Sequence, residues 1–452
     1  MSQPQSTENK MGTMPIPKLL FSMSLPLMLS MLVQALYNIV DSIFVSMINE
    51  NALTAVSLIF PVQNLIIAIA AGTAVGVNAL LSRNLGERDF EGANKAAING
   101  LFLSVLSYLA TAFVGGSLSH FFLSVQTNDP QIVAYGTTYM RIITVFSFGC
   151  FLQIMLERLL QSTGRTICTM ITQATGAIIN IIMDPILIFG IGFFPKMGVA
   201  GAAVATVFGQ IVAMLLALIM NLKVNKDIQL HFSSFRPCAA TIGHIYEVGV
   251  PSIVMQSIGS VMTFGFNKIL LMFTSTATAV FGVYFKLNSF IFMPIFGLNN
   301  GMVPIVAYNY GARNKKRIMQ TIKLSVISAV CLMLVGLSLF MLIPDKLLGL
   351  FHASSEMLAI GVPALRIICL SFLFAGYCII VGSVFQALGN GVYSLLVSLA
   401  RQIFAILPSA YILAKVFGLH AVWWSFPIAE LVSLTMTTIF FRRIYREKLE
   451  NL

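Results

Sequence analysis

Twelve long apolar segments run through the chain, and each is long enough to cross a lipid bilayer as a helix. A membrane-spanning helix needs about 20 predominantly apolar residues. We predict spans at residues 18–46, 53–83, 95–123, 132–160, 166–190, 198–222, 241–272, 277–306, 318–343, 355–388, 391–415 and 418–441. Only 10% of the 452 residues are charged, whereas a soluble domain carries about 25%. The chain is therefore predicted to be an all-α membrane protein, because it has too few charges to cover a surface that faces water.

A membrane β-barrel does not fit these segments. Barrel strands are about 10 residues long and alternate apolar with polar residues. The segments here are continuous apolar runs, and a helix satisfies its own backbone hydrogen bonds inside lipid. Twelve transmembrane helices are the predicted architecture.

The basic residues of the loops predict the orientation. If the N-terminus is cytoplasmic, 19 of the 27 Lys and Arg residues fall in inner segments, three fall in outer loops and five lie within spans. Cytoplasmic loops carry such an excess of basic residues. We therefore expect a multi-pass protein of the inner (cytoplasmic) membrane with both termini in the cytoplasm. The net charge of +11 then reflects membrane topology and does not predict a nucleic-acid partner.

The two halves of the sequence repeat at an offset of 225 residues. Matching pairs include Pro26 with Pro251, Gly72 with Gly297, Gly76 with Gly301, Arg141 with Arg366 and Gln161 with Gln386. Each half holds six spans, an even number, so both halves enter the membrane in the same direction as parallel repeats. The predicted domains are an N-lobe at 1–222, a cytoplasmic linker at 223–240 and a C-lobe at 241–452. Two such lobes around a cavity are typical of a secondary transporter.

Two acidic residues lie within spans of the N-lobe, where a charge is costly and points to function. The first span carries a polar stripe at i, i+3, i+4 and i+7, which comprises Gln34, Tyr37, Asn38 and Asp41. On the fifth span Asn180 and Asp184 are four residues apart and share one helix face. Both acids should lie in the outer half of the membrane at similar depth. We expect the two stripes to face each other, since polar groups in a span must point at protein or water.

The C-lobe provides an internal comparison for these acids. At the repeat offset Asp41 corresponds to Phe266, and Asp184 corresponds to Ser409. Carboxylates that merely held the fold together should recur as polar groups in both lobes. Their restriction to the N-lobe favours a functional role over that of hydrogen-bonded contacts between helices.

Two carboxylates in a low-dielectric cavity repel each other and are poorly solvated. Such a site can hold a proton at neutral pH, or a small cation such as Na+ with Asn180 and Asn38 as neutral ligands. The predicted cation-coupling residues are Asp41, Asp184, Asn180 and Asn38, with a possible Na+ site at Asp41, Asn180 and Asp184. The predicted substrate-cavity residues are Gln34, Tyr37, Asp41, Asp184 and Glu430.

Glu430 lies about mid-depth in the last span. One interpretation is a buried ion pair with Arg401 or Lys286, and the other is a second carboxylate linked to substrate or proton. Glu157 and Glu247 fall near predicted cytoplasmic helix ends, where we expect water to solvate them.

No motif for covalent or nucleotide chemistry is found. The sequence contains no Walker motif, no zinc-ligand spacing and no nucleophile elbow, and its six cysteines have no paired spacing. We therefore expect no enzymatic activity, no catalytic or metal centre and no cofactor. An ion gradient of H+ or Na+ is the expected driving force.

Several motifs together resemble the multidrug and toxic compound extrusion (MATE) family. They are Ser24-Leu-Pro26, Tyr37-Asn-Ile-Val-Asp41, Asn84-Leu-Gly-Glu-Arg-Asp89, Gln161-Ser-Thr-Gly164 and Asn180-Ile-Ile-Met-Asp184-Pro185. The resemblance covers essentially the whole chain, and it is strongest to the bacterial branch named for DNA-damage inducibility.

This resemblance implies two six-helix bundles in a V. We expect the protein to act as a monomer among membrane lipids. It implies export of lipophilic cationic drugs in exchange for H+ or Na+, with cation coupling at the acids that match Asp41 and Asp184. The main alternative is a flippase for a lipid-linked precursor, which should show a strongly basic central cavity. A channel or receptor is a third possibility, which the duplicated lobes and the paired intramembrane acids disfavour.

Overall fold

The computed structural model describes residues 9–230 and 236–452, and every regular element among them is helical. The first half comprises α1 Lys10–Thr13, α2 Ile16–Ser46, α3 Glu50–Gly86, α4 Phe90–Gln126, α5 Pro130–Val145, α6 Phe148–Ser162, α7 Thr166–Phe189 and α8 Val199–Lys223. The second half comprises α9 Ala239–Leu270, α10 Ser275–Gly311, α11 Lys315–Leu342, α12 Pro344–Gly349, α13 Ser355–Ile368, α14 Phe372–Ala387, α15 Gly391–Leu399, α16 Leu407–Phe417, α17 Leu419–Val422 and α18 Ser425–Ile444. The prediction of an all-α protein is confirmed.

Twelve spans are present when one bent pair is counted as a single span. Eleven of the described helical segments are long and apolar enough to cross a membrane, and α5 and α6 together form a twelfth that bends by 44°. The bend lies inside the predicted span 132–160. There the Ser147 hydroxyl donates to the carbonyl oxygen of Thr144 at 2.7 Å. A side chain that bonds to the backbone in this way competes with the helical hydrogen bonds.

The eleventh predicted span also departs from a regular α-helix. A π-helical segment, Ala400–Ile406, joins α15 to α16. Such segments insert extra backbone into a helix and are frequent at functional sites. This one holds Arg401 in the interior of the C-lobe.

The predicted linker 223–240 connects α8 to α9, and its residues 231–235 lie outside the described part of the chain. On either side of that gap the linker lies along α4. The N–H of Gln229 donates to Asn94 Oδ1 at 2.7 Å, and the N–H of Cys238 donates to Asn99 Oδ1 at 3.1 Å. The segment before the second lobe therefore packs against the first lobe.

The two lobes meet where α2 packs on α10, α3 packs on α9, and α3 meets α10. Glycines at repeat-equivalent positions allow this approach, namely Gly72, Gly76 and Gly86 on α3 and Gly297, Gly301 and Gly311 on α10. The contact is nearly symmetric, because Gly86 lies on the carbonyl of Tyr308 while Gly311 lies on the carbonyl of Arg83. Positions 83 and 308 are themselves 225 residues apart. The predicted repeat thus becomes a pseudo-twofold contact between backbones.

We call the end of the molecule that holds Gly86 and Gly311 the closed end. The N-terminal segment 9–14 packs across it, and Met11 in that segment is fully buried. The lobes form a V that converges at the closed end.

Candidate functional site

The two predicted acids of the N-lobe meet between neighbouring helices. Asp41 on α2 and Asp184 on α7 lie within hydrogen-bonding reach of each other, because α2 packs against α7. Asp184 is fully buried, and Asp41 is partly exposed. The structure therefore places the acids of the first and fifth spans face to face.

The protein does not supply hydrogen-bond partners for all the carboxylate oxygens of Asp41 and Asp184. Oδ1 of Asp41 and Oδ1 of Asp184 are both buried and have no hydrogen-bond partner in the described part of the chain. Two adjacent carboxylates with unpartnered oxygens are unfavourable in a low-dielectric interior unless they hold a proton or a cation. The donor set thus suits a small monovalent ion.

Asn180 presents a nitrogen to the pair. Assigned from its hydrogen-bond network, the side-chain nitrogen donates to Asp184 Oδ2 at 3.0 Å, and the side-chain oxygen accepts from Thr206 Oγ1 at 3.2 Å. The amide oxygen therefore points at α8 and not at the carboxylates. In this orientation Asn180 donates to a carboxylate and turns its side-chain oxygen away from the pair.

Three further polar residues surround the pair and were not singled out from the sequence. Thr206 bonds to Asn180 and lies beside Tyr37. Gln63 Nε2 donates to the hydroxyl of Tyr139 at 3.0 Å, and Tyr139 is 1% exposed and lies within electrostatic range of Asp41. In the sequence each is an isolated polar residue in an apolar span. Such a residue is weak evidence for a functional site, because many of them form hydrogen bonds only within their own helix.

Gln34 and Asn38 lie outside this cluster. Both side chains are exposed, and neither forms a side-chain hydrogen bond to the acids in the described part of the chain. Successive residues of an α-helix turn by about 100°, so Asn38 points roughly 60° away from Asp41. The stripe divides: Tyr37 and Asp41 lie at the N-lobe site, whereas the side chains of Gln34 and Asn38 are exposed.

In the C-lobe Glu430 forms the predicted ion pair, and its partner is Arg401. Nε of Arg401 donates to Oε2 of Glu430 at 2.7 Å. Lys286, the other predicted candidate, instead lies over the ring of Phe351 at 5.8 Å. The Glu430 side chain is 2% exposed and that of Arg401 is 28% exposed, so only the arginine reaches open space.

Glu157 is buried, although its position near a helix end predicted that water would solvate it. It is 2% exposed and not solvated, because it lies between α6 and α7. Its carboxylate accepts hydrogen bonds from Gln153 at 3.0 Å, Thr172 at 2.9 Å and Gln173 at 2.8 Å. Glu247 remains exposed, beside His244 at 3.6 Å.

No group of three or more His, Cys, Asp or Glu side chains that could hold a metal ion occurs within residues 9–230 and 236–452. The N-lobe pair therefore offers only two carboxylates to an ion.

Comparison with known proteins assigns both halves of the chain to one family. The sequence model of the MatE family matches residues 26–186 and 251–412. The two matched segments begin 225 residues apart, which is the offset of the internal repeat.

Curated relatives align along nearly the whole chain. A "Multidrug export protein MepA" from Staphylococcus haemolyticus is 27% identical over 416 residues, 92% of this chain and 91% of that protein. The protein of the same name from Staphylococcus aureus strain NCTC 8325 is 26% identical over 417 residues, again 92% of this chain and 91% of the relative.

Solved structures show the same architecture. The chain superimposes on an outward-facing multidrug resistance MATE family transporter of the MOP superfamily with a TM-score of 0.92, 26% identity and full coverage of both chains. A MOP superfamily transporter from Pyrococcus furiosus, described as having a binding pocket of reverse polarity, gives a TM-score of 0.90 at 26% identity, covering 98% of each chain.

Proposed function

The chain belongs to the MatE family, and on that premise we propose that it is an antiporter that exports lipophilic cationic drugs in exchange for protons. The observation that carries this proposal is the Asp41–Asp184 pair, with its two buried, unpartnered oxygens. A proton shared by the pair would satisfy both oxygens and remove the repulsion between the carboxylates. Relatives that are multidrug exporters support the substrate class.

A proton suits this site better than Na+ does. Hard cations take several oxygen ligands, and the pair supplies two carboxylates. Asn180 turns its N–H towards Asp184 and its oxygen towards Thr206, so the neutral ligand expected for Na+ is directed elsewhere. Asp41, Asp184 and Asn180 are therefore proposed as the proton-coupling residues.

Transport is proposed to proceed by alternating access between the lobes. The closed end carries the N-terminal segment and the basic loops that the charge distribution places in the cytoplasm. The structure would then be closed to the cytoplasm and open outward. In this state the pair takes up a proton from outside and the drug leaves. In the inward-open state the proton is released and the next drug binds.

The proposal is tested with purified protein in proteoliposomes. Efflux of the cationic dye ethidium is followed with a pH gradient or a Na+ gradient imposed separately. We expect transport with the pH gradient alone and its loss in Asp41→Asn. Asp345→Asn is the matched control, because Asp345 is an exposed acid in the first turn of α12. Transport driven by Na+ alone would contradict proton coupling, and no movement under either gradient would contradict drug export.

A further inference from the structure

The end of the last span carries three arginines that the proposed transport cycle does not use. Arg442 and Arg443 lie in the last turn of α18, and Arg446 follows in a π-helical segment, Tyr445–Leu449. All three side chains are exposed, and we call them the arginine cluster. In the orientation that the charge distribution predicts, the cluster lies where the cytoplasmic leaflet of the bilayer meets water.

The arginine cluster borders a surface groove of about 490 Å³. The groove is lined by Ile439, Arg442, Arg443, Arg446 and Glu447. Ile439 is 57% exposed and precedes Arg442 by three residues, or about one helical turn. An apolar side chain exposed at this level of a span contacts lipid. The groove therefore joins a lipid-facing residue to the guanidinium groups at the end of the span.

Two of the three guanidinium groups have no acidic partner. Nε of Arg443 donates to Oε1 of Glu447 at 2.8 Å, and its guanidinium lies over the ring of Tyr393 at 5.9 Å. Arg442 and Arg446 form no hydrogen bond and no ion pair within residues 9–230 and 236–452. Three arginines and one glutamate leave the lining of the groove with a net charge of +2. An anion from outside the protein would complete this arrangement.

The N-lobe has no equivalent of the arginine cluster. Beyond the eleventh span the repeat offset is 220, which aligns Gly198 with Gly418, and the positions of the three arginines hold Leu222, Lys223 and Lys226 in the N-lobe. A lysine ammonium is a point charge and lacks the planar fork of arginine. The positive-inside bias is satisfied by lysine as well as by arginine, so topology alone does not explain the convergence of three guanidinium groups in the C-lobe.

The acid of the groove is also used differently in the two lobes. Glu447 corresponds to Asp227, which pairs with Arg165 of the N-lobe at 3.1 Å. Glu447 instead fixes Arg443 within the groove. Fixing one guanidinium before a ligand arrives lowers the entropy lost on binding.

We propose that this groove binds the phosphate of an anionic phospholipid, with an acyl chain lying along Ile439. A guanidinium fork matches a phosphate through two parallel, charge-assisted hydrogen bonds. A lipid fits better than a soluble phosphate, because the groove begins at a lipid-facing side chain and basic residues beside the end of a span attract anionic lipids. This site goes beyond the exporter function proposed above and does not depend on it.

The test measures lipid binding to the purified, delipidated protein by native mass spectrometry. Phosphatidylglycerol is the anionic probe, and phosphatidylcholine, which has no net charge, is the reference. We expect the wild type to bind its first phosphatidylglycerol with a dissociation constant about tenfold lower than that for phosphatidylcholine. The double variant Arg442→Gln/Arg446→Gln should lose this preference. It keeps the contact between Arg443 and Glu447, so the helix end retains its own ion pair.

Two further variants define the interpretation. Lys223→Gln/Lys226→Gln removes two charges from the equivalent end of the N-lobe and should keep the wild-type preference. Arg442→Lys/Arg446→Lys keeps the charge but loses the forks, so we expect a preference between those of the wild type and the glutamine variant. The lysine variant also serves if the glutamine variant does not fold.

Equal affinities of the wild type for both lipids, or an unchanged preference in Arg442→Gln/Arg446→Gln, would overturn the inference. The same loss in Lys223→Gln/Lys226→Gln would also overturn it, because the preference would then reflect general attraction to positive charge. Inorganic phosphate is finally added to the lipid-bound protein and compared with sodium chloride at the same ionic strength. Displacement by phosphate alone would assign the groove to a soluble anion, whereas retention of the lipid supports the proposed site.

Discussion

The guanidinium of Arg317 donates a hydrogen bond to the backbone carbonyl of Met11 at 2.9 Å, joining the C-lobe to the segment before the first span. The same nitrogen reaches the carbonyl of Met14 at 2.7 Å. At the other side of the segment, Asn9 Nδ2 donates to the carbonyl of Thr163 in the N-lobe at 3.1 Å. Residues 9–14 therefore bridge both lobes across the closed end, where inward opening would have to separate them.

Removing the guanidinium should loosen this bridge. In Arg317→Gln two charge-assisted bonds to backbone carbonyls are lost, and we expect amide hydrogen exchange of residues 9–14 to rise by about tenfold. Hydrogen–deuterium exchange followed by mass spectrometry in nanodiscs measures this. Lys316→Gln removes an exposed neighbouring charge and should leave the exchange unchanged. Equal exchange in both variants would show that Arg317 does not hold the segment.

The bridge should also respond to pH through Lys10. Burial, together with repulsion from Arg165, lowers the pKa of the Lys10 ammonium below its ordinary value near 10.5. The docked segment therefore binds fewer protons than the free one, and docking strengthens as the pH rises from the lowered pKa towards 10.5. Protection of residues 9–14, corrected for the intrinsic exchange rate, should increase over this window. In Lys10→Met the increase should be absent, and a persistent slope would point to another group.

The glycine contacts between the lobes should tolerate no side chain. A Cβ on Gly76 would overlap the carbonyl oxygen of Ile245, a backbone atom that cannot rotate away. We expect Gly76→Ala to destabilise the structure by about 1–3 kcal/mol, visible as a lower melting temperature in detergent. A Cβ on Gly243 meets no atom of residues 9–230 and 236–452 within 4 Å, so Gly243→Ala is the control. A Gly76→Ala protein with the same melting temperature as the wild type would contradict the close approach of Gly76 to the Ile245 carbonyl.

Thr206 should influence proton coupling indirectly, through its hydrogen bond to Asn180. Thr206→Val keeps the shape but removes the hydroxyl that donates to the Asn180 side-chain oxygen at 3.2 Å, so that only the backbone N–H of Thr206, at 2.9 Å, remains as a donor to that oxygen. We expect dye efflux driven by a pH gradient to slow by about tenfold, with a shifted pH profile, because the carboxylate loses a positioned donor. Thr175→Val is the control, since among the described residues that hydroxyl bonds only to the carbonyl of Ile171 in its own helix, at 2.7 Å. A rate within twofold of the wild type would remove Thr206 from the network.

Local pattern was sufficient to predict the spans and the N-lobe acids. Hydropathy marks each span, because lipid contact demands apolar side chains along the whole length of a helix. A comparison of the two halves then singled out Asp41 and Asp184. Their meeting could be expected because charged groups in a span must face protein or water.

The neighbours of those acids could not be predicted in the same way. Thr206 and Tyr139 lie on other spans, and their roles depend on how each helix is rotated about its axis. A rotation by one residue, about 100°, moves a side chain from the site to lipid. Helix rotation also explains why Asn38 lies outside the cluster. Its position in the i, i+3, i+4, i+7 pattern places it on the same broad face as Asp41, but not in the same direction.

The sequence by itself determined an all-α membrane protein of twelve spans, the parallel repeat of its lobes and the location of the acidic pair in one of them. These follow from hydropathy and spacing, which act along the chain. Only the tertiary structure decided that Arg401 and not Lys286 pairs with Glu430, that Glu157 is enclosed, and that Asn180 offers an N–H to Asp184. Those outcomes depend on the packing of helices distant in the sequence, where a small difference in rotation selects one hydrogen-bond partner over another.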